Sequence, residues 1–182
     1  AEVVLPARLG VVDRRPRVVH EVGRHQLLVG HPEDAVEVAL GGATQELIDL
    51  AILESNQGYA NSGVTLRLEL AFLYEVVFNE SAAIENDVAQ FRANGDGVLD
   101  DVHLFRASYD ADMCCLIVDG TDPDWCGWAY GFDYTDYNNM FQASVYSCVT
   151  GNFTFAHEFG HTQGCRHDTD PTLTPFSYGH GY

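Results

Sequence analysis

Apolar positions in the middle of the chain switch between helical and strand spacing. From Thr44 to Tyr59 they recur three and four residues apart, which predicts a helix. Residues 61–63, Asn-Ser-Gly, are typical of a turn. From Val64 to Phe72 apolar and polar residues alternate, which predicts a strand with one buried face.

The rest of the chain continues this mixture of helices and strands. The patterns predict helices at 81–92, 98–109 and 152–163, a buried strand at 113–118, and short strands near 127–132 and 142–149. Helices interleaved with strands indicate an α/β or α+β domain.

The first 33 residues differ in character from the rest of the chain. They carry five arginines, four acidic residues and three prolines, and their apolar residues have no clear period. We expect residues 1–33 to be an N-terminal arm or a propeptide remnant, and residues 34–182 to form the main domain.

Charge excludes several classes of partner. The chain has 27 acidic and nine basic residues, for a formal net charge of −18. A surface this acidic repels phosphate, which argues against nucleic acids and anionic membranes as partners. No apolar run approaches the roughly 20 residues that a membrane-spanning helix needs.

The five cysteines do not form a Cys-x-x-Cys pair, so they indicate neither a zinc ribbon nor a thioredoxin-type site. Cys114 and Cys115 are adjacent in a predicted strand. Their side chains should therefore point to opposite faces of the sheet, as buried free thiols.

The segment from His157 to Asp168 carries the clearest chemical signal, with the form HExxHxxGxxHD. His157 and His161 are four residues apart, so on a helix both imidazoles project from one face and can bind one ion. Glu158 lies about 100° further round that helix. Its carboxylate can reach a water on the metal without being a ligand.

The residues after this helix supply a third ligand. Gly164 can adopt a positive φ, which ends the helix and turns the chain back. The turn brings His167 toward the first two histidines. Three imidazoles leave the fourth position of a tetrahedral zinc ion open, as in catalytic zinc sites.

This segment resembles the metzincin metallopeptidases, whose signature is HExxHxxGxxH followed by a methionine turn. The trailing Asp168 makes the chain most similar to the reprolysin (adamalysin) branch, and the flanking residues are similar to secreted bacterial peptidyl-Asp-type enzymes. The similarity covers roughly residues 43–182.

The resemblance implies a zinc-dependent endopeptidase with a mixed twisted sheet and a zinc-binding helix. It implies a secreted, monomeric protein that acts on protein or peptide substrates. It also assigns site residues: zinc ligands His157, His161 and His167, general base Glu158, turn residue Gly164, buried orienting acid Asp168, a Cys126–Cys148 disulfide, and a substrate-pairing edge strand near 127–132.

The chain departs from the family in two respects. The family usually opens with an apolar strand just before the first helix, for which residues 36–40 are a short substitute. The expected methionine turn follows the third histidine, but the two methionines, Met113 and Met140, both precede it. We therefore expect the chain to be incomplete at its C-terminus, with a truncated lower subdomain. A catalytically inert zinc-binding module is the alternative hypothesis.

Calcium is a secondary hypothesis. An EF-hand loop placed on residues 94–97 would begin at Arg92 and end at His103, neither of which ligates calcium, so a turn is favoured there. Asp119, Asp122 and Asp124 cluster in a predicted loop, which leaves a Ca²⁺ site and a calcium-dependent adhesive domain open.

Overall fold

Five strands, four α-helices and two short 3₁₀-helices organise the part of the chain that the structure describes. The computed structural model describes residues 44–76, 78–120, 124–131, 136–172 and 179–180, and the backbone of 24–32. The strands are β1 (Arg24–Pro32), β2 (Arg67–Val76), β3 (Met113–Val118), β4 (Gly127–Ala129) and β5 (Phe141–Val145). The α-helices are α1 (Thr44–Asn61), α2 (Ile84–Arg92), α3 (Asp101–Ser108) and α4 (Thr154–Thr162). Within the described residues, no helix has both the length and the apolar character needed to cross a bilayer.

The five strands form one mixed sheet in the order β2-β1-β3-β5-β4. Strand β1 is parallel to β2 and β3, and β3 is parallel to β5, whereas β4 is antiparallel to β5. Parallel neighbours need long crossovers, which the helices provide. Strand β4 lies at the edge of the sheet, so one side of its backbone pairs with no other strand among the described residues.

Strand β3 separates the two halves of the core. All six of its residues are buried. On one face, Cys114 and its alternate neighbours pack with apolar residues of α2 and α3. On the other face, Cys115 and its alternate neighbours pack with apolar residues of α1 and α4. The prediction that the two adjacent thiols are buried on opposite faces is confirmed.

The boundaries of β2 differ from the predicted strand. Val64 donates its N–H to the carbonyl of Tyr59 at 2.8 Å, so the turn after α1 continues to Val64. The guanidinium of Arg67 then donates to the carbonyls of Val64 and Leu66. Val64 and Leu66 therefore lie before the ladder. Strand β2 instead begins at Arg67, which pairs with Arg24, and extends to Val76, which pairs with Pro32.

The structure also differs from the prediction for residues 24–32, which the sequence pattern assigns to the N-terminal arm. They form β1, which lies between β2 and β3. A strand with parallel neighbours on both sides need not alternate apolar and polar residues, and Leu27, Leu28 and Val29 are a continuous apolar run. Residues 1–23 and 33–43 lie outside the described residues.

Candidate metal centre

Helix α4 projects two histidines away from the core. Phe155 and Phe159, four residues apart, pack into the core with ring centroids 4.9 Å apart. This anchoring turns the opposite side of the helix outward. His157 and His161 lie on that opposite side, one turn apart, with His157 exposed and His161 buried.

The structure brings the three predicted histidines together. The Nε2 atom of His157 lies 3.0 Å from that of His161 and 3.0 Å from that of His167. The Nε2 atoms of His161 and His167 are 3.1 Å apart. Across the described residues, these histidines are the group that could bind a metal ion.

Gly164 produces the turn that returns His167 to the helix. Its φ is +95°, a conformation that residues with a Cβ rarely adopt. Its N–H donates to the carbonyl of His161, and the next N–H, of Cys165, donates to the carbonyl of Gly160, both at 2.9 Å. These contacts end the helix as the sequence predicts.

Two backbone carbonyls accept hydrogen bonds from imidazoles at the site. The Nδ1 atom of His161 donates to the carbonyl of Cys165 at 2.9 Å, which leaves Nε2 unprotonated toward the other histidines. The Nδ1 atom of His180 donates to the carbonyl of His167 at 3.1 Å. The sequence pattern assigns His180 no role, because this contact depends on chain packing rather than on spacing.

The surroundings favour the neutral form of two histidines. Burial lowers the pKa of His157, and the nearby His167 lowers it further. Burial also lowers the pKa of His161, although the carbonyl of Cys165 opposes this. Because only neutral imidazole binds a metal, both shifts prepare the site for an ion.

Glu158 follows His157 on α4, and its side chain faces the edge strand β4. Its side chain is 6% exposed, and the N–H of Ala129 donates to its carboxylate. Burial raises the pKa of Glu158 to about 7, against the opposing effect of this hydrogen bond. A carboxyl with such a pKa can accept and return a proton near neutral pH.

Asp168 does not have the predicted buried position. It is exposed, in a turn where the N–H of Asp170 donates to the carbonyl of His167 at 3.2 Å. The turn directs the side chain of Asp168 outward. Cys165 is also exposed, and its carbonyl rather than its thiol contacts a candidate ligand.

The predicted disulfide is confirmed. Cys126 and Cys148 are bonded, which joins the start of β4 to the turn after β5. Strand β4 itself covers only Gly127–Ala129 of the predicted 127–132. Residues 132–135 lie outside the described residues.

Two acidic segments bear on calcium binding, residues 94–100 and residues 119–124, and the structure describes only the first of them in full. The carboxylate of Asp100 accepts the N–H groups of Gly95 and Gly97, so residues 94–100 form a turn, as favoured from the sequence. Of the aspartates in the second segment, Asp119 and Asp124 are exposed and Asp122 lies outside the described residues. Calcium binding there stays a prediction.

A cavity of about 510 Å³ opens beside the histidines. Arg166, Asp168 and His180 contribute to its wall together with the three imidazoles. The guanidinium of Arg166 lies 3.4 Å from the carboxylate of Asp170, and its backbone N–H donates to the carbonyl of Gly179. A cation therefore lies beside the candidate metal centre of a strongly acidic chain.

Comparison with known sequences gives a family match over most of the chain. The model of metallo-peptidase family M12 matches residues 29–181. The matched range includes the histidine cluster, Glu158 and every strand from the middle of β1 onward.

Several curated bacterial proteins named peptidyl-Asp metalloendopeptidase are similar to this chain. One from Stenotrophomonas maltophilia is 41% identical over 151 residues, which are 82% of this chain and 36% of that protein. One from Xanthomonas campestris pv. campestris is 42% identical over 147 residues, 79% of this chain and 34% of that protein. One from Pseudomonas fragi is 33% identical, over 71% of this chain and 62% of that protein. The chain spans about a third of the length of the first two relatives.

Two solved structures share the fold. A chain in a chaperone–substrate complex matches with a TM-score of 0.64 and 21% identity, over 85% of this chain and 28% of that one. Metalloproteinase-II from Bacteroides fragilis matches with a TM-score of 0.55 and 16% identity, over 85% of this chain and 47% of that one. At these identities the similarity concerns the fold alone.

Proposed function

Because this chain belongs to metallo-peptidase family M12, we propose that it contains the catalytic site of a secreted, zinc-dependent endopeptidase. The observation that carries the proposal is the convergence of three Nε2 atoms within 3.1 Å of one another. A neighbouring carboxylate, Glu158, is left free of the cluster. The disulfide supports secretion, because such bonds persist in oxidising compartments.

The donor set fits zinc. Three imidazole nitrogens suit this ion, and a catalytic site keeps a further position open for a reactant. His157 and His167 are exposed, so a substrate can approach from their side. When bound, zinc supplies a Lewis acid that polarises the scissile carbonyl and makes a water acidic enough to lose a proton near pH 7.

Glu158 moves the proton in this reaction. Its carboxylate accepts a proton from the attacking water and passes it to the nitrogen of the leaving amine. A pKa near 7 suits both transfers, because the group is a base before the attack and an acid after it. Burial of Glu158 also keeps bulk water from competing for this proton.

The open side of β4 positions the substrate. An extended peptide can add to this edge as a further strand, with main-chain hydrogen bonds to the edge-facing groups of β4 other than the N–H of Ala129, which Glu158 accepts. Such pairing would bring the scissile bond across the end of α4, beside the histidines.

We extend the proposal to substrates with an acidic residue near the scissile bond. The names of the similar bacterial proteins specify aspartate. On this chain Arg166 lines the cavity beside the histidines and could pair with a substrate carboxylate. The chain's net charge of −18 repels acidic peptides, so such a preference requires a local cation.

The central experiment measures hydrolysis and metal content together. The purified chain should hydrolyse an unstructured protein such as casein, lose this activity to a chelator, and regain it with one equivalent of zinc. Calcium alone should not restore activity. Zinc binding without hydrolysis would instead support the inert zinc-binding module.

A further inference from the structure

Strand β4 approaches α4 more closely than a side chain allows. A Cβ atom on Gly127 would lie 2.7 Å from Cγ2 of Thr154, and 2.8 and 2.9 Å from Cγ and Oε1 of Glu158. Carbon atoms in favourable contact are about 3.5–4.0 Å apart. Gly127 is not among the glycines with positive φ, so space rather than backbone conformation requires a glycine here.

The pairing of β4 with β5 determines which backbone groups of β4 are left for other partners. Cys126 accepts the N–H of Val145 at 2.8 Å, and Tyr130 donates to the carbonyl of Phe141 at 2.9 Å. In an antiparallel strand, the backbone N–H and C=O groups of every second residue point toward the partner strand. The N–H and C=O groups of Gly127 and Ala129 therefore point away from β5, toward the open edge. There the N–H of Ala129 donates to the carboxylate of Glu158.

We infer that Gly127 is a positioning residue for Glu158. The lack of a side chain at position 127 lets Glu158 lie against the strand, where the N–H of Ala129 holds one carboxylate oxygen. The other oxygen is then directed to accept a proton. This inference rests on the proposed function, because it gives Glu158 a partner that orients it for that reaction.

Replacement of Gly127 by alanine tests the inference. A control variant is needed for the contact that the new methyl group would make with Thr154. The added methyl group would press on both Glu158 and Thr154. Thr154→Ser removes Cγ2 and keeps the hydroxyl group, so it relieves only the contact with Thr154. Comparison of Gly127→Ala, Thr154→Ser and the double variant separates displacement of Glu158 from general disturbance of α4.

We expect Gly127→Ala to lower kcat about 100-fold, because a displacement of about 1 Å in a reacting group can cost this much. KM and the zinc stoichiometry should remain within about threefold of the wild-type values. Thr154→Ser should retain wild-type kcat. The double variant should regain unfolding stability but not kcat.

A spectroscopic measurement tests the positioning independently of activity. In the wild-type chain, the amide resonance of Ala129 should shift when Glu158 is replaced by Gln, and Gly127→Ala should also shift it. The inference is wrong if Gly127→Ala keeps kcat within threefold, if Thr154→Ser restores kcat in the double variant, or if the Ala129 resonance does not move. Full activity of Glu158→Gln would overturn the proposed function, whereas the resonance shift would still report the contact.

Discussion

The carbonyl of Cys165 accepts a hydrogen bond from Nδ1 of His161 at 2.9 Å. Since a carbonyl only accepts, this contact fixes the proton of His161 on Nδ1. The Nε2 lone pair then faces His157 and His167. One backbone atom thus selects the tautomer that binds a metal.

The contact predicts that the thiol of Cys165 is dispensable. Cys165→Ser and Cys165→Ala should bind zinc with an affinity within threefold of wild type, because both keep the carbonyl. Competition with a chromogenic chelator measures this affinity. A loss of ten-fold or more in both variants would show that the thiol itself supports the metal centre.

Glu158→Gln should retain zinc and lose hydrolysis. General acid–base catalysis typically contributes about 10²–10⁴-fold to a rate, so we expect kcat to fall within this range. Metal analysis of the purified variant and peptide hydrolysis by the same sample check both statements. If the variant retains more than a tenth of wild-type kcat, Glu158 is not the general base of the reaction.

The same substitution should stabilise the metal-free protein at high pH. Burial raises the pKa of Glu158 from its ordinary value of 4.5 to about 7. The folded state therefore binds this proton more tightly, and the wild-type free energy of unfolding falls as pH rises from 4.5 to 7. Glutamine does not titrate, so the variant should gain up to about 3 kcal/mol relative to wild type at pH 8. Urea unfolding at pH 4 and pH 8 measures the difference, which should be absent at pH 4.

Zinc affinity should fall in acid. His157 and His161 must be neutral to bind, and burial lowers the pKa of both below the ordinary value of 6.5. Protons should therefore compete with zinc as the pH falls below this ordinary value, and apparent affinity should drop at least tenfold between pH 6 and pH 5. A zinc titration at pH 7, 6 and 5 checks this dependence. Constant affinity over this range would contradict binding by histidine.

Arg166 should determine any preference for acidic substrates. A hydrogen bond to a charged group contributes about 1.5–3 kcal/mol, so Arg166→Gln should reduce the ratio of kcat/KM for Asp and Asn peptides about 10- to 100-fold. Arg67→Gln is the control, because Arg67 donates to backbone carbonyls next to β2 and does not line the cavity. An unchanged ratio in Arg166→Gln would exclude Arg166 as the recognition residue.

Elements with strong local patterns could be predicted from the sequence. Strand β3 matches its predicted bounds because six consecutive apolar residues have few alternatives to burial. Helix α4 and its histidines follow from the four-residue spacing and from Gly164. Strand β1 could not be predicted, because its position depends on pairing with β2 and β3, which are distant in sequence.

Several site contacts also lack a local signal. The contact of His180 with His167 joins residues 13 apart, through a carbonyl that any residue could supply. The closeness of Gly127 to Glu158 depends on how the edge strand packs over α4. The family resemblance predicts a buried Asp168, whereas the local turn determines its exposure.

The location of β1 between β2 and β3 limits how far the chain can be shortened from its N-terminus. Strand β2 lies at the end of the sheet and joins the remaining strands through β1. A cut before Arg24 would remove no residue of the five described strands. A cut beyond Pro32 would separate β2 from β3 and expose the apolar residues beneath both strands, so proteolytic trimming at that point would destroy the scaffold beneath α4.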